Sequence, residues 1–219
     1  MSTFKDRDDW LNARGKRIGG SDAASVIGKN PWMSNVKLWR IKTWREKQED
    51  ISDLLVVKYG TEAEKYIRGI YTLDHPQYKV NYKPDNIWFN DLMPWAHASL
   101  DGWLDEKDSK RKGILEIKTS NIASGLMASK WKDFNGKDRL PDGYFCQCLH
   151  YLMVTEFDFV ELIALLKDTR GEREFQYFKV YHIERSEVEE DIEYLRKAEE
   201  DFWRYVMEDR EPNLILPEI

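Results

Sequence analysis

The stretch GILEIKTS, residues 113–120, decides how the chain is read. Its apolar and β-branched residues predict a strand, and strand side chains alternate between two faces. Leu115 and Ile117 therefore point one way while Glu116 and Lys118 point the other. A charge on a partly buried strand costs several kcal/mol unless it is paired or bound to metal. Either this strand has a wet face with a surface ion pair, or the two charges belong to a site. Upstream, HASLDGW places Asp101 at the end of another predicted strand. A hairpin through the polar segment DEKDSKRKG brings Asp101 beside Glu116, although Asp-Gly is also a common turn dipeptide. Two carboxylates can hold Mg²⁺ through oxygen and leave positions open for water and a phosphate oxygen. A metal offsets their mutual repulsion and acidifies bound water. The lysine can orient or deprotonate that water, or stabilise charge in the transition state.

The rest of the chain sets the frame. With 219 residues there is enough chain for one α/β domain with its own core. No apolar run approaches the roughly 20 residues of a membrane span. The opening MSTFKDRDDW lacks the pattern of a secretory signal, and Cys146 and Cys148 are too close in sequence to pair comfortably. A reduced, cytoplasmic protein is expected. The net charge of −6 argues against general nucleic-acid stickiness, yet an acidic enzyme can still line one groove with Lys and Arg.

Helical spacing is predicted for RDDWLNARG, for AASVIG after a cap at Ser21 or Asp22, and for NVKLWRIKTWRE after a cap at Ser34. Further helices are predicted at about 54–73, over GYFCQCLHYLMVT, and at about 186–207. Strands are predicted in VNYKP, NIWFN, AHASLDGWLDE, KGILEIKT, FDFVELIALL and EFQYFKVYHI. Residues 120–143 read as a polar connection. The order predicts an α/β sandwich rather than a doubly wound βαβ array, as one domain over 1–219.

Asp101 followed by E-I-K at 116–118 resembles the core of the PD-(D/E)xK nucleases, with Leu100 where a proline is usual. Three further stretches carry the resemblance. YGTEAEKY is similar to the helical G-x-x-x-E motif of the RecB-like and phage exonuclease branch, and nominates Glu64 as a third acidic group. Glu62, the alternative, lies about 200° away on a helix. QCLHY is similar to the Q-x-x-x-Y motif of the same branch, placing Gln147 and Tyr151 on one helix face. RIGGSDAASVIGKNPW resembles the opening motif of the YqaJ-like viral recombinase family, which includes phage lambda exonuclease. A Gly-Gly turn, a helix N-terminus and a serine hydroxyl make physical sense there as an anion pocket.

The resemblance spans about residues 10–165, leaving a C-terminal strand and long helix at about 172–208 without a motif. It implies a restriction-endonuclease-like core, an α/β fold with a central mixed sheet flanked by helices, and a 5′-to-3′ exonuclease acting on double-stranded DNA ends. It implies Asp101, Glu116 and the carbonyl of Ile117 as metal ligands, Glu64 at a second metal, and Lys118 positioning the attacking water. The cofactor implied is Mg²⁺ or Mn²⁺, two ions. Arg14 and Ser21 match the residues that grip the DNA 5′-phosphate, with Arg17 a competitor. Lys130, Trp131 and Lys132 are expected to reach the DNA through charge and stacking. Family members often form ring-shaped trimers and work beside a phage single-strand annealing protein. The rivals are a sequence-specific endonuclease of the same superfamily and a catalytically silent DNA-binding or assembly module. An iron–sulfur variant needs four cysteines, and the chain has two.

Overall fold

The structure, a computed structural model, describes residues 7–216; most of the opening segment read above for a signal lies outside them. Three helices lead, α1 (Arg7–Gly15), α2 (Gly20–Val26) and α3 (Asn35–Lys42), followed by the longer α4 (Leu55–Asp74). Strands β1 (Tyr78–Asn81), β2 (Gly102–Glu106) and β3 (Lys112–Ile122) come next, then helices α5 (Gly125–Ser129) and α6 (Asp142–Thr155). The chain finishes with β4 (Phe159–Asp168), β5 (Phe175–Glu184) and α7 (Glu189–Met207).

The five strands lie in sequence order. All neighbours are antiparallel except β3 and β4, which run parallel and are joined by the α5–α6 crossover. This is the central mixed sheet flanked by helices that the resemblance implies. Alternation along β3 sorts the core. Ile114 and Ile122 meet α6 and the layer of α2 and α7 behind it, whereas Leu115 and Ile117 meet Ile67 and Tyr71 of α4. β4 is covered on both faces, which accounts for its nearly unbroken apolar run.

Local chemistry explains most element ends. The Ser34 hydroxyl caps α3 by accepting the Lys37 N–H at 3.2 Å. α6 stops where Glu156 turns into the left-handed region at φ 57°. Three expectations need correction. α2 is capped at Gly19, and Asp22 sits one turn in, its carboxylate accepting the Gly19 N–H at 3.0 Å. NIWFN forms no extended strand; Ile87 and Trp88 make isolated bridges, Trp88 with Ala98 among the described residues. In place of ladder bonds, the Asn86 side chain donates to the Leu100 carbonyl at 2.8 Å and accepts its N–H at 2.9 Å. Third, the polar connection contains α5, capped by Ser124.

Candidate active site

Glu116 is 1% exposed, so the surface ion pair is excluded. Its Oε1 accepts from Gln147 Nε2 at 2.8 Å and from Lys118 Nζ at 2.7 Å. Its Oε2 is buried without a hydrogen-bond partner among the described residues. Asp101 arrives at the start of β2, where its Oδ2 accepts the Ile117 N–H at 2.8 Å. The Asn86 bonds to Leu100 fix the backbone immediately before it. Arg68 Nε donates to the Asp101 carbonyl at 2.8 Å while its guanidinium stacks on Tyr82, 3.6 Å from the ring centroid.

The electrostatics follow from crowding acids in a desolvated place. Burial, then the Asp101 charge, pushes Glu116 up to about 8. Burial likewise raises Asp101, against the pull of Lys118 and the Ile117 N–H. Glu64 on α4 is raised to about 7 by burial and by the charge of Asp101. Glu62 is 77% exposed and 3.6 Å from Lys65, so of the two acids it is Glu64 that senses Asp101. Burial alone would lower Lys118, but the charges of Glu116 and Asp101 outweigh it and hold its ammonium above the ordinary lysine value. Lys118 therefore remains a cation, a poor base and a good electrostatic partner.

Gln147 bridges, donating to both Glu116 and the Tyr151 hydroxyl (2.9 Å). Gly20 packs on these two residues: a Cβ there would come within 2.5 Å of the Tyr151 ring and 2.9 Å of Gln147 Cγ. The Gly-Gly turn thus brings α2 against α6, and the expected open face for an anion is filled by Tyr151 on the Gly20 side. Gly20→Ala is expected to destabilise by about 1–3 kcal/mol through overpacking and to shift Gln147, measured by urea unfolding and by cleavage rate.

The anchor candidates separate. Arg17 Nε is committed to the Pro94 carbonyl at 2.9 Å, and its guanidinium stacks on Phe89. Arg14 stacks on Trp10 at 4.4 Å, and its charge reaches Asp101. Ser21 is exposed. Trp131 corrects the expectation of a stacking residue: it is 4% exposed and packs between Tyr144 and Tyr181. Lys132 pairs with Asp138, while Lys130 is exposed and lies over the Trp32 ring. Sequence reasoning missed Arg68, although it sits one helical turn after Glu64. It also missed Asn86, which no motif announces, and Tyr144, whose ring lies 5.2 Å from Lys118 Nζ.

The donors suit a hard divalent cation, because they are carboxylate oxygens with one oxygen of Glu116 buried and unpartnered. Among the described residues no group of three or more His, Cys, Asp or Glu side chains converges with metal-holding spacing. The fit therefore rests on Asp101 and Glu116.

A family model described as YqaJ-like viral recombinase domain matches residues 9–158. An uncharacterized protein YqaJ of Bacillus subtilis (strain 168) is 29% identical over 212 residues, covering 90% of this chain and 55% of that protein. The chain thus spans just over half the length of this curated relative. Among solved structures, an alkaline exonuclease from Laribacter hongkongensis superposes with a TM-score of 0.61 at 19% identity, over 92% of this chain and 93% of that one. A phage-related exonuclease from Haemophilus somnus 129PT gives 0.52 at 14% identity, over 90% and 98%. At such identities the likeness concerns the fold.

Proposed function

Because the chain belongs to the YqaJ-like viral recombinase domain family, we propose that it is a divalent-metal-dependent deoxyribonuclease, an exonuclease that degrades double-stranded DNA from 5′ ends. One observation carries the reading: a fully buried glutamate, Glu116, keeps one oxygen unpartnered beside Asp101 and a cationic Lys118. An ionisable acid buried at this cost, in a strand otherwise apolar, is the mark of a site rather than of a scaffold.

Asp101 and Glu116, with the Ile117 carbonyl, would hold Mg²⁺ or Mn²⁺; Glu64 would serve a second ion. Such ions supply Lewis acidity and acidify a coordinated water. Gln147 and Lys118 fix Glu116 Oε1, so its Oε2 stays aimed away from them. Lys118 orients the attacking water and stabilises charge growing on the phosphoryl oxygens, as an ammonium rather than as a base. The Ile117 N–H orients Asp101, and Arg68 holds the carbonyl of the same residue. Arg14 and Ser21 bind the 5′-phosphate, with Lys130 further along the DNA.

The acidic overall charge fits an outer wall that repels DNA away from the site. Assembly into a closed homo-oligomer, a trimer by resemblance, is supported by an apolar band on the α4 face. There a hollow of about 300 Å³ is lined by Leu55, Val56, Tyr59 and Leu165, with Phe178 and Val180 exposed on the neighbouring strand. A single-strand annealing protein as partner follows from the family resemblance, and a cytoplasmic location from the free cysteines Cys146 and Cys148; among the described residues no helix is long and apolar enough to cross a membrane.

The test uses linear duplex DNA with one 5′-phosphorylated and one 5′-hydroxyl end. Mg²⁺-dependent release of mononucleotides from the phosphorylated end is expected. Arg14→Ala is expected to raise KM for that end by about 10- to 100-fold, the worth of roughly one charge-assisted contact to phosphate, and Arg17→Ala to leave the preference between ends in place. Internal cuts on circular DNA would favour an endonuclease instead.

A further inference from the structure

The C-terminal helix, which carries no motif, reaches the site from behind. Glu199 of α7 and His150 of α6 are both fully buried. His150 Nδ1 lies 2.7 Å from Glu199 Oε1, and its Nε2 lies 2.8 Å from the His97 carbonyl oxygen. A carbonyl only accepts, so Nε2 carries hydrogen. The Nδ1 contact then needs one more proton, on Nδ1 with Glu199 ionised or on Glu199 with His150 neutral. In either state both contacts are satisfied and the pair is neutral overall.

From His97 the chain of bonds continues forward. The His97 N–H donates to the Ile18 carbonyl at 2.9 Å, and the Ile18 N–H donates to the Trp95 carbonyl at 2.7 Å. The next residue, Gly19, lies on the His97 ring so closely that a Cβ would come within 2.8 Å of Cε1. From the other side the buried Asp22–Lys42 ion pair (2.7 Å) holds the Gly19 N–H and the Arg17 carbonyl. The segment from Arg14 to Ser21 is thus seated on buried polar bonds, one arm of which ends at Glu199. Leu100, the residue before Asp101, is held by a different side chain, through two bonds from Asn86.

We infer that Glu199 is a positioning residue for the 5′-phosphate anchor: through His150 and the His97 backbone it sets where the Gly19–Ser21 turn, and with it Arg14 and Ser21, stands relative to the catalytic acids. This rests on the reading of Arg14 and Ser21 as the anchor. It gives the C-terminal helix a task in end selection and assigns it none in bond cleavage.

The experiment measures KM and kcat separately for 5′-phosphorylated and 5′-hydroxyl duplex ends with the full chain and Mg²⁺. Glu199→Ala is expected to raise KM for the phosphorylated end about tenfold with kcat held, narrowing the preference between ends. Glu199→Gln is expected to restore it, since its amide N–H can donate to a bare Nδ1 while Nε2–H still reaches His97. If Glu199→Ala does not fold, Glu199→Asp carries the test, being charged but one methylene short, with the same KM shift expected. An unchanged KM in a folded variant, or an equal fall of kcat at both ends, overturns the inference. A wild-type protein that treats both ends alike overturns the anchor reading itself, and a wild type that discriminates while Glu199→Ala discriminates equally overturns this inference alone.

Discussion

Glu116→Gln is expected to lower Mg²⁺-dependent cleavage by at least about a thousandfold, the scale of losing a principal electrostatic group at a reacting centre, while making the metal-free protein more stable. The two effects share one cause. Glu116 is isosteric with glutamine, and Oε1 already accepts from Gln147 and Lys118. The substitution therefore preserves shape and removes the buried negative charge that the metal needs. Sign and pH window follow from the raised value. Burial and neighbouring acids lift Glu116 from 4.5 to about 8 in the folded state. Below about pH 4.5 both folded and unfolded chains hold the proton, and there is no penalty. Between 4.5 and 8 the unfolded chain ionises while the folded one resists, so stability falls as pH rises. Above about 8 the penalty is complete, on the order of a few kcal/mol. Glu64, raised to about 7, slopes the same way within that window. Urea unfolding without metal should show wild-type stability declining from pH 5 to 8 and a flatter profile for Glu116→Gln. Adding Mg²⁺ at pH 8 should raise the wild-type Tm and leave the variant unmoved, because only a ligand that prefers the folded state stabilises it.

Lys118→Ala is expected to abolish cleavage to a similar depth, about 10²- to 10⁴-fold, with the opposite effect on stability. Its ammonium is the cation that offsets Glu116 and Asp101 in the metal-free site. Removing it leaves two crowded carboxylates without that charge, and their pKa values climb further. The variant should be destabilised at pH 8 and nearly normal at pH 5, where the acids are protonated. It should also bind Mg²⁺ more tightly than wild type, since the competing cation is gone. Calorimetric titration distinguishes this from simple misfolding: a dead enzyme that binds metal better identifies Lys118 as acting on substrate or water. Weaker metal binding would show that the lysine instead supports the ligands.

The sequence revealed most where the relevant contacts are local or periodic. Alternation in β3 separated Glu116 and Lys118 from Leu115 and Ile117, and the structure puts those pairs on α6 and α4 respectively. The i, i+4 spacing in α6 placed Gln147 and Tyr151 on one face, where they hydrogen-bond each other. Long-range substitutions for ordinary structure were not legible. NIWFN has strand composition, but Asn86 takes Leu100 with its side chain, and the segment makes isolated bridges rather than a strand. Trp131 in a basic loop looked like a stacking residue, yet Tyr144 and Tyr181, brought from α6 and β5, enclose it. Arg14 and Arg17 are alike in sequence; what separates them is the Pro94 carbonyl, 77 residues from Arg17. Glu199 reads as one more charge on an amphipathic helix, and only the fold sets it against His150.

The most direct test of the central claim follows nucleotide release from linear duplex DNA, 5′-phosphorylated at one end, as Mg²⁺ is titrated into metal-stripped protein. The account predicts mononucleotides from the phosphorylated end, appearing only with the metal, stopped by chelation and absent in Glu116→Gln. Cleavage that persists under chelation, or that survives intact in Glu116→Gln, would contradict it.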